Sequence, residues 1–134
     1  MNILQTEWWS LAVPPEWWAE AEEDSILVGD LDDVGCIEIS TLHRENGSFT
    51  GEEVLTMARA EAPADCRWSD LRRGDFAGWH TSFVEDGTAI REWYLAAGGM
   101  LLFVTYSCDP ENRGMDDAAV DEILDTLQAL TTNS

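Results

Sequence analysis

The chain has 134 residues, with 27 Asp or Glu against seven Arg and no Lys, so its formal charge is −20 at pH 7. Hydrophobic residues make up 45% and aromatics 10%, including seven Trp, which is the composition of one folded domain and excludes a disordered acidic tail. The charge excludes electrostatic binding to nucleic-acid backbones or anionic membranes, which need clustered basic residues, and the missing lysines exclude Schiff-base and P-loop chemistry.

Residues 7–13 read as a first strand, which Pro14-Pro15 ends because proline cannot donate to a ladder. Trp17 and Trp18 follow, and then an acidic turn from Glu20 to Asp24. Ser25 to Gly29 is predicted as a second strand, Asp30 to Asp33 as a polar turn and Val34 to Leu42 as a third strand. In that third strand Gly35, Ile37, Ile39 and Thr41 share one face. Thr50-Gly51-Glu52-Glu53 fits a capping box and opens a helix with Val54, Leu55, Ala58 and Ala62 on one side. Pro63 closes it, because the residue before proline disfavours the helical region. A short fourth strand lies around Arg67 to Leu71.

Two turn dipeptides, Asp86-Gly87 and Gly98-Gly99, separate runs of strand character and supply the positive φ angles of two-residue hairpins. Counting back from them pairs Glu85 with Thr88, Phe83 with Ile90 and Trp79 with Tyr94. The second turn pairs Ala97 with Met100, Leu95 with Leu102 and Trp93 with Val104. Trp79, Phe83, Ile90, Tyr94, Leu101 and Phe103 then line one sheet face, and His80, Trp93, Leu95, Leu102, Val104 and Tyr106 line the other. Both faces are apolar, so both need cover. A final helix carries Val120, Ile123, Leu124, Leu127 and Leu130 at helical spacing, with acids opposite. The prediction is a single α+β domain over residues 1–134. It is an α/β/α sandwich around a mainly antiparallel sheet, in the order β-β-β-α-β-β-β-β-α.

Two stretches and the order of elements resemble the Mog1/PsbP-like superfamily, which includes small bacterial domains of unknown function. One is the aromatic entry strand running into Val13-Pro14-Pro15-Glu16-Trp17. The other is Arg91-Glu92-Trp93-Tyr94-Leu95 with Gly98-Gly99 and Leu101-Leu102-Phe103-Val104-Thr105-Tyr106. Glu16 stands where that pattern usually has glycine. The resemblance implies a sandwich around an antiparallel sheet and no particular activity, and it carries over no catalytic residue.

No catalytic motif is visible, and the expectation is a protein that is not an enzyme. His43 sits in a turn-like segment and His80 mid-strand opposite Trp93, and there is no Gly-x-Ser-x-Gly. Two His and the three Cys (Cys36, Cys66, Cys108) share no metal-ligand spacing, so no metal or cofactor is expected and the thiols read as reduced. The polar residues 1–7 lack a secretory n-region, and Tyr94 to Val104 is too short to span a bilayer, so a cytoplasmic location is expected.

No Arg precedes Arg44, so the N-terminal third is a strongly negative lobe. The candidate partner-binding residues are Trp17, Trp18, Glu20, Glu22, Glu23 and Asp24: an aromatic anchor ringed by carboxylates that suits a basic protein. The expected function is that of an interaction module, in its sharper form an immunity-type inhibitor of a basic effector. The alternative is a small-molecule binder or minor enzyme whose pocket lies between sheet and helix against Trp79, Phe83, Tyr94 and Phe103.

Overall fold

The computed structural model describes residues 2–130. The first five strands are β1 (Asn2–Gln5), β2 (Trp9–Val13), β3 (Trp17–Ala21), β4 (Ile26–Asp30) and β5 (Gly35–His43). Helix α1 (Gly51–Glu61) follows, and then β6 (Ser69–Arg73), β7 (Phe76–Glu85), β8 (Thr88–Ala97) and β9 (Met100–Cys108). A 3-10 turn at Pro110–Asn112 leads to helix α2 (Asp117–Leu124) and a short β10 (Gln128–Ala129).

The class is α+β, as expected, but the strands form two antiparallel sheets and not one. Seven lie in the order β3-β4-β5-β9-β8-β7-β6 and three in the order β1-β2-β10. The hairpin registers are those counted from the turns: Trp79 faces Tyr94, and Trp93 faces Val104. Asp86 and Gly87 both have positive φ, the backbone that an Asp-Gly hairpin turn requires.

Helix α1 starts at the expected capping box. Thr50 Oγ1 accepts from the Glu53 N–H at 3.1 Å, and the Glu53 carboxylate accepts from the Thr50 N–H at 3.4 Å. Glu53 also forms a bidentate pair with Arg44. The helix covers one face of the large sheet, where Val54 and Ala58 are buried with Tyr94 and Leu101. The opposite face carries Ile37, Ile39, Trp93, Leu95, Leu102 and Val104. It is covered by Trp9, Leu11 and Val13 of the small sheet together with Val120, Ile123 and Leu124 of α2. Trp9 is fully buried there and its indole N–H donates to Thr41 Oγ1 at 2.9 Å.

Three strands go beyond the expected order. Residues 17–21, read in part as an acidic turn, form β3, because the chain reverses at Pro14-Pro15 and Trp17–Ala21 then pairs along Ile26–Asp30. The Pro14 carbonyl accepts the Trp17 N–H at 3.0 Å in that reversal. β1 pairs with β2. The final helix stops at Leu124 and does not reach Leu130. Thr126 Oγ1 donates to the Ile123 carbonyl at 2.6 Å and accepts the Ala12 N–H at 2.8 Å, which turns the chain so that Gln128–Ala129 pairs with β2. Leu127 is fully buried in the core from outside the helix.

Candidate functional site

The expected partner-binding residues share one end of the large sheet. β3 is its edge strand, and Glu20, Glu22, Glu23 and Asp24 are all exposed at the β3–β4 hairpin. The two tryptophans separate, because neighbours in a strand point to opposite faces. Trp17 is 8% exposed and packs into the main core, so it is no accessible anchor. Trp18 is half-buried on the other face, flat over Gly29, and its indole N–H donates to the Asp30 carbonyl at 3.2 Å. A Cβ at position 29 would collide with that indole, so only glycine lets the ring lie so close.

The register puts Trp18, Glu20, Leu27, Cys36 and Glu38 on one face of the β3–β4–β5 end. Helix α1 packs on β7 and β8 and leaves this end open. Among the described residues the ion pairs belong to Arg44, Arg73 and Arg91, and none reaches Glu20, Glu22, Glu23 or Asp24. The edge therefore combines unpaired backbone groups, free carboxylates and one half-exposed indole.

A second feature lies under α1. A cleft of about 330 Å³ opens between the helix and β5, β8 and β9. Met57, Tyr94, Leu101 and Phe103 form its apolar wall, and Glu61, Glu92, Ser40 and Thr41 its polar parts. The Tyr94 and Phe103 ring centroids are 4.8 Å apart. Trp79 and Phe83, named with them from the sequence, do not line this cleft. The Trp79 indole is tied to the Gly51 carbonyl at 2.9 Å. Sequence reasoning does not single out Glu92 as a site residue, although the hairpin count places it between Ile90 and Tyr94 on the helix-facing side. A carboxylate among aromatics on a face that needs cover was the available signal.

The α2 side holds two polar clusters. Arg91 is central to the first: its Nε–H donates to His80 Nε2 at 3.2 Å, and its terminal nitrogens reach Asp121 at 2.9 Å and Asp117 at 3.4 Å. Its guanidinium also stacks on Trp93, 4.5 Å from the ring centroid. Burial, and then the Arg91 charge, push the His80 imidazole down to about 4. The neutral ring is the form that can accept from Arg91. A depressed histidine contributes stability above its unfolded value of 6.5 and loses it as pH falls toward 4. The difference in melting temperature between wild type and His80→Gln should therefore change across pH 6.5 to 4 and be flat above it. A constant difference in thermal melts over that range would refute the assignment.

In the second cluster Tyr106 donates to Asp116 Oδ2 at 2.6 Å, and the Asp30 carboxyl lies beside the same Asp116. Burial first, and then the Asp116 partner, raise the Asp30 carboxyl above its ordinary 3.8. A raised carboxyl stabilises below its unfolded value, and the contribution is lost as pH rises through the folded one. Asparagine could still accept the Val34 N–H that Asp30 Oδ1 accepts at 2.8 Å, and could donate to Asp116 at any pH. Asp30→Asn should therefore melt higher than wild type at pH 7, by a few degrees, with the gap closing near pH 3 to 4. A lower melting temperature at pH 7 would contradict this.

Among the described residues no helix is long and apolar enough to cross a membrane, and no group of three His, Cys, Asp or Glu is placed to hold a metal ion.

No family model matches the chain, and no curated protein matches it. Solved structures do. One, a crystal structure from Bacteroides thetaiotaomicron VPI-5482, is 19% identical over 95% of this chain with a TM-score of 0.70. The match covers 47% of that protein, so the chain spans about half its length. LpqN of Mycobacterium tuberculosis, described as involved in cell envelope biogenesis, is 17% identical over 92% of this chain and 83% of its own, with a TM-score of 0.56. The solution structure of PsbP from Synechocystis sp. PCC 6803 is 10% identical over 91% of this chain and 86% of its own, at a TM-score of 0.44. At these identities the likeness concerns the fold alone. The α+β fold expected from the sequence is supported at that level by the first two of these structures.

Proposed function

We propose that the protein is a non-enzymatic interaction module that docks a basic protein along the open edge of its large sheet. The observation that carries this reading is the pairing of an exposed edge strand, β3, with four carboxylates at its tip that no arginine among the described residues neutralises. An edge strand offers backbone donors and acceptors to an added strand, and its side chains select the partner. A net charge of −20 speeds encounter with a basic surface and makes it salt-dependent. Trp18 is the aromatic contact of this surface and Trp17 its internal support. The finer form of the reading is an immunity-type inhibitor that covers the basic site of an effector such as a nuclease, inside the cytoplasm.

The test is capture from native lysate at low and at high salt, followed by affinity measurement with the purified partner. One basic protein should bind at low salt and be lost at high salt. Trp18→Ala should weaken binding about tenfold or more, and a Glu22→Gln/Glu23→Gln double variant should mainly slow association. Capture that is indifferent to ionic strength would sink the reading.

A further inference from the structure

We propose that the cleft beneath α1 is a binding site for a small amphipathic amine, a primary ammonium group on an apolar body, with Glu92 as its counter-ion. The site is separate from the β3 edge, and the inference goes beyond the docking reading.

The argument begins with Glu92. The β7–β8 and β8–β9 registers set it between Thr81 and Thr105. Thr81 cannot donate to it, because its hydroxyl is committed to the Arg67 carbonyl at 2.8 Å. Glu92 is half-buried at the lining of the cleft, and its Oε1 accepts no hydrogen bond. Among the described residues no Arg or His lies in ion-pair range of it. Burial first, and then the charge of Glu85, raise its carboxyl above the ordinary range. This is a carboxylate whose desolvation cost is already incurred in part by the fold and which no ion pair among the described residues offsets. An incoming cation regains more there than at a hydrated surface carboxylate.

The cleft's other groups fit the rest of such a ligand. Tyr94 and Phe103 present aromatic surface, and Met57 from the helix adds an adaptable apolar contact. Glu61, at the end of α1, is a second carboxylate at the same cleft. The Tyr94 phenol is pushed up to about 12 by burial and by the Glu92 and Glu61 charges, so both carboxylates act on that one ring. The volume of about 330 Å³ suits a small ligand and not a macromolecule. An anionic ligand is excluded by the two carboxylates, while the charge of the whole chain concentrates cations near it.

The probe is phenethylammonium chloride, titrated calorimetrically into the full chain at neutral pH, with 2-phenylethanol as the neutral isostere. Saturable binding of the ammonium is expected, with the alcohol at least about tenfold weaker. Glu92→Gln should weaken the ammonium about tenfold or more. That variant removes an unpaired buried charge, so it should fold, and near-ultraviolet circular dichroism checks that it does. Leu42→Trp provides a second reading: Leu42 lines the cleft and is 51% exposed, so a larger ring there should obstruct the site and abolish binding while leaving the carboxylate intact. Trp18→Ala should change nothing, which separates this site from the β3 edge. No saturable binding up to about 10 mM, equal binding of the alcohol, or undiminished binding by folded Glu92→Gln would each overturn the proposal.

Discussion

A Trp93→Ala chain should unfold with a free energy lower by about 3–5 kcal/mol, read from urea melts at neutral pH. Trp93 is fully buried, with a relative exposure of 0%. It lies at the centre of the large sheet, paired with His80 on one side and Val104 on the other. Truncation would open a cavity beneath the small sheet and α2, and would remove the surface on which Arg91 and His80 rest. The indole N–H complicates the balance, because it is buried without an acceptor. An unsatisfied buried donor costs about 1–3 kcal/mol. Trp93→Phe removes that cost together with part of the ring, so its loss should be less than half that of the alanine variant. Equal losses for the two substitutions would refute this, because both remove the N–H and only phenylalanine keeps most of the packing.

The second large effect is expected at Gly78. It faces Leu95 across the β7–β8 pair. A Cβ there would collide with the Tyr94 carbonyl oxygen and press on the Leu95 Cα at 3.1 Å. Both obstacles are backbone of a central strand, so relief requires part of the ladder to shift. Gly78→Ala should therefore destabilise by about 3 kcal/mol or more. That far exceeds the ~0.4–1 kcal/mol that restricting the unfolded chain returns for Gly→Ala at a compatible site. Gly51, the first residue of α1, is the matched control, since a Cβ there meets nothing within 4 Å. Gly51→Ala should raise stability by about 0.5–1 kcal/mol. A melting temperature for Gly78→Ala at or above wild type would refute the close approach.

What was legible in the sequence followed from local chemistry that leaves one geometry. Asp86-Gly87 and Gly98-Gly99 select two-residue turns, and from them the pairing of three long strands can be counted residue by residue. Thr50 and Glu53 mark the start of α1 in the same way. The misread segments were those where tertiary partners decide. Leu127 and Leu130 continue the helical period of α2, yet the helix ends where Thr126 finds Ala12 across the molecule. Residues 20 and 21 look like part of an acidic turn because an edge strand tolerates exposed charge on its outer side. Missing β3 had a direct consequence for the site: without the strand, alternation could not tell Trp17 from Trp18. The division into two sheets rests on the reversal after Pro14-Pro15, which shows in the sequence as a stop and not as a change of partner.

The small sheet also has implications for the order in which the molecule assembles. Its middle strand is held by β1, a few residues away, and by β10 from the far end of the chain. The Ala12–Thr126 hydrogen bond spans 114 positions. The three hairpin-linked strands β7, β8 and β9 need only short loops to close, whereas β2 meets β10 only after a loop of nearly the whole domain has closed. One side of the central sheet can thus gain its helical cover from nearby sequence, through α1. The other gains α2 from nearby sequence but is covered in full only when β2, from the far end of the chain, docks over Trp93, Leu102 and Val104.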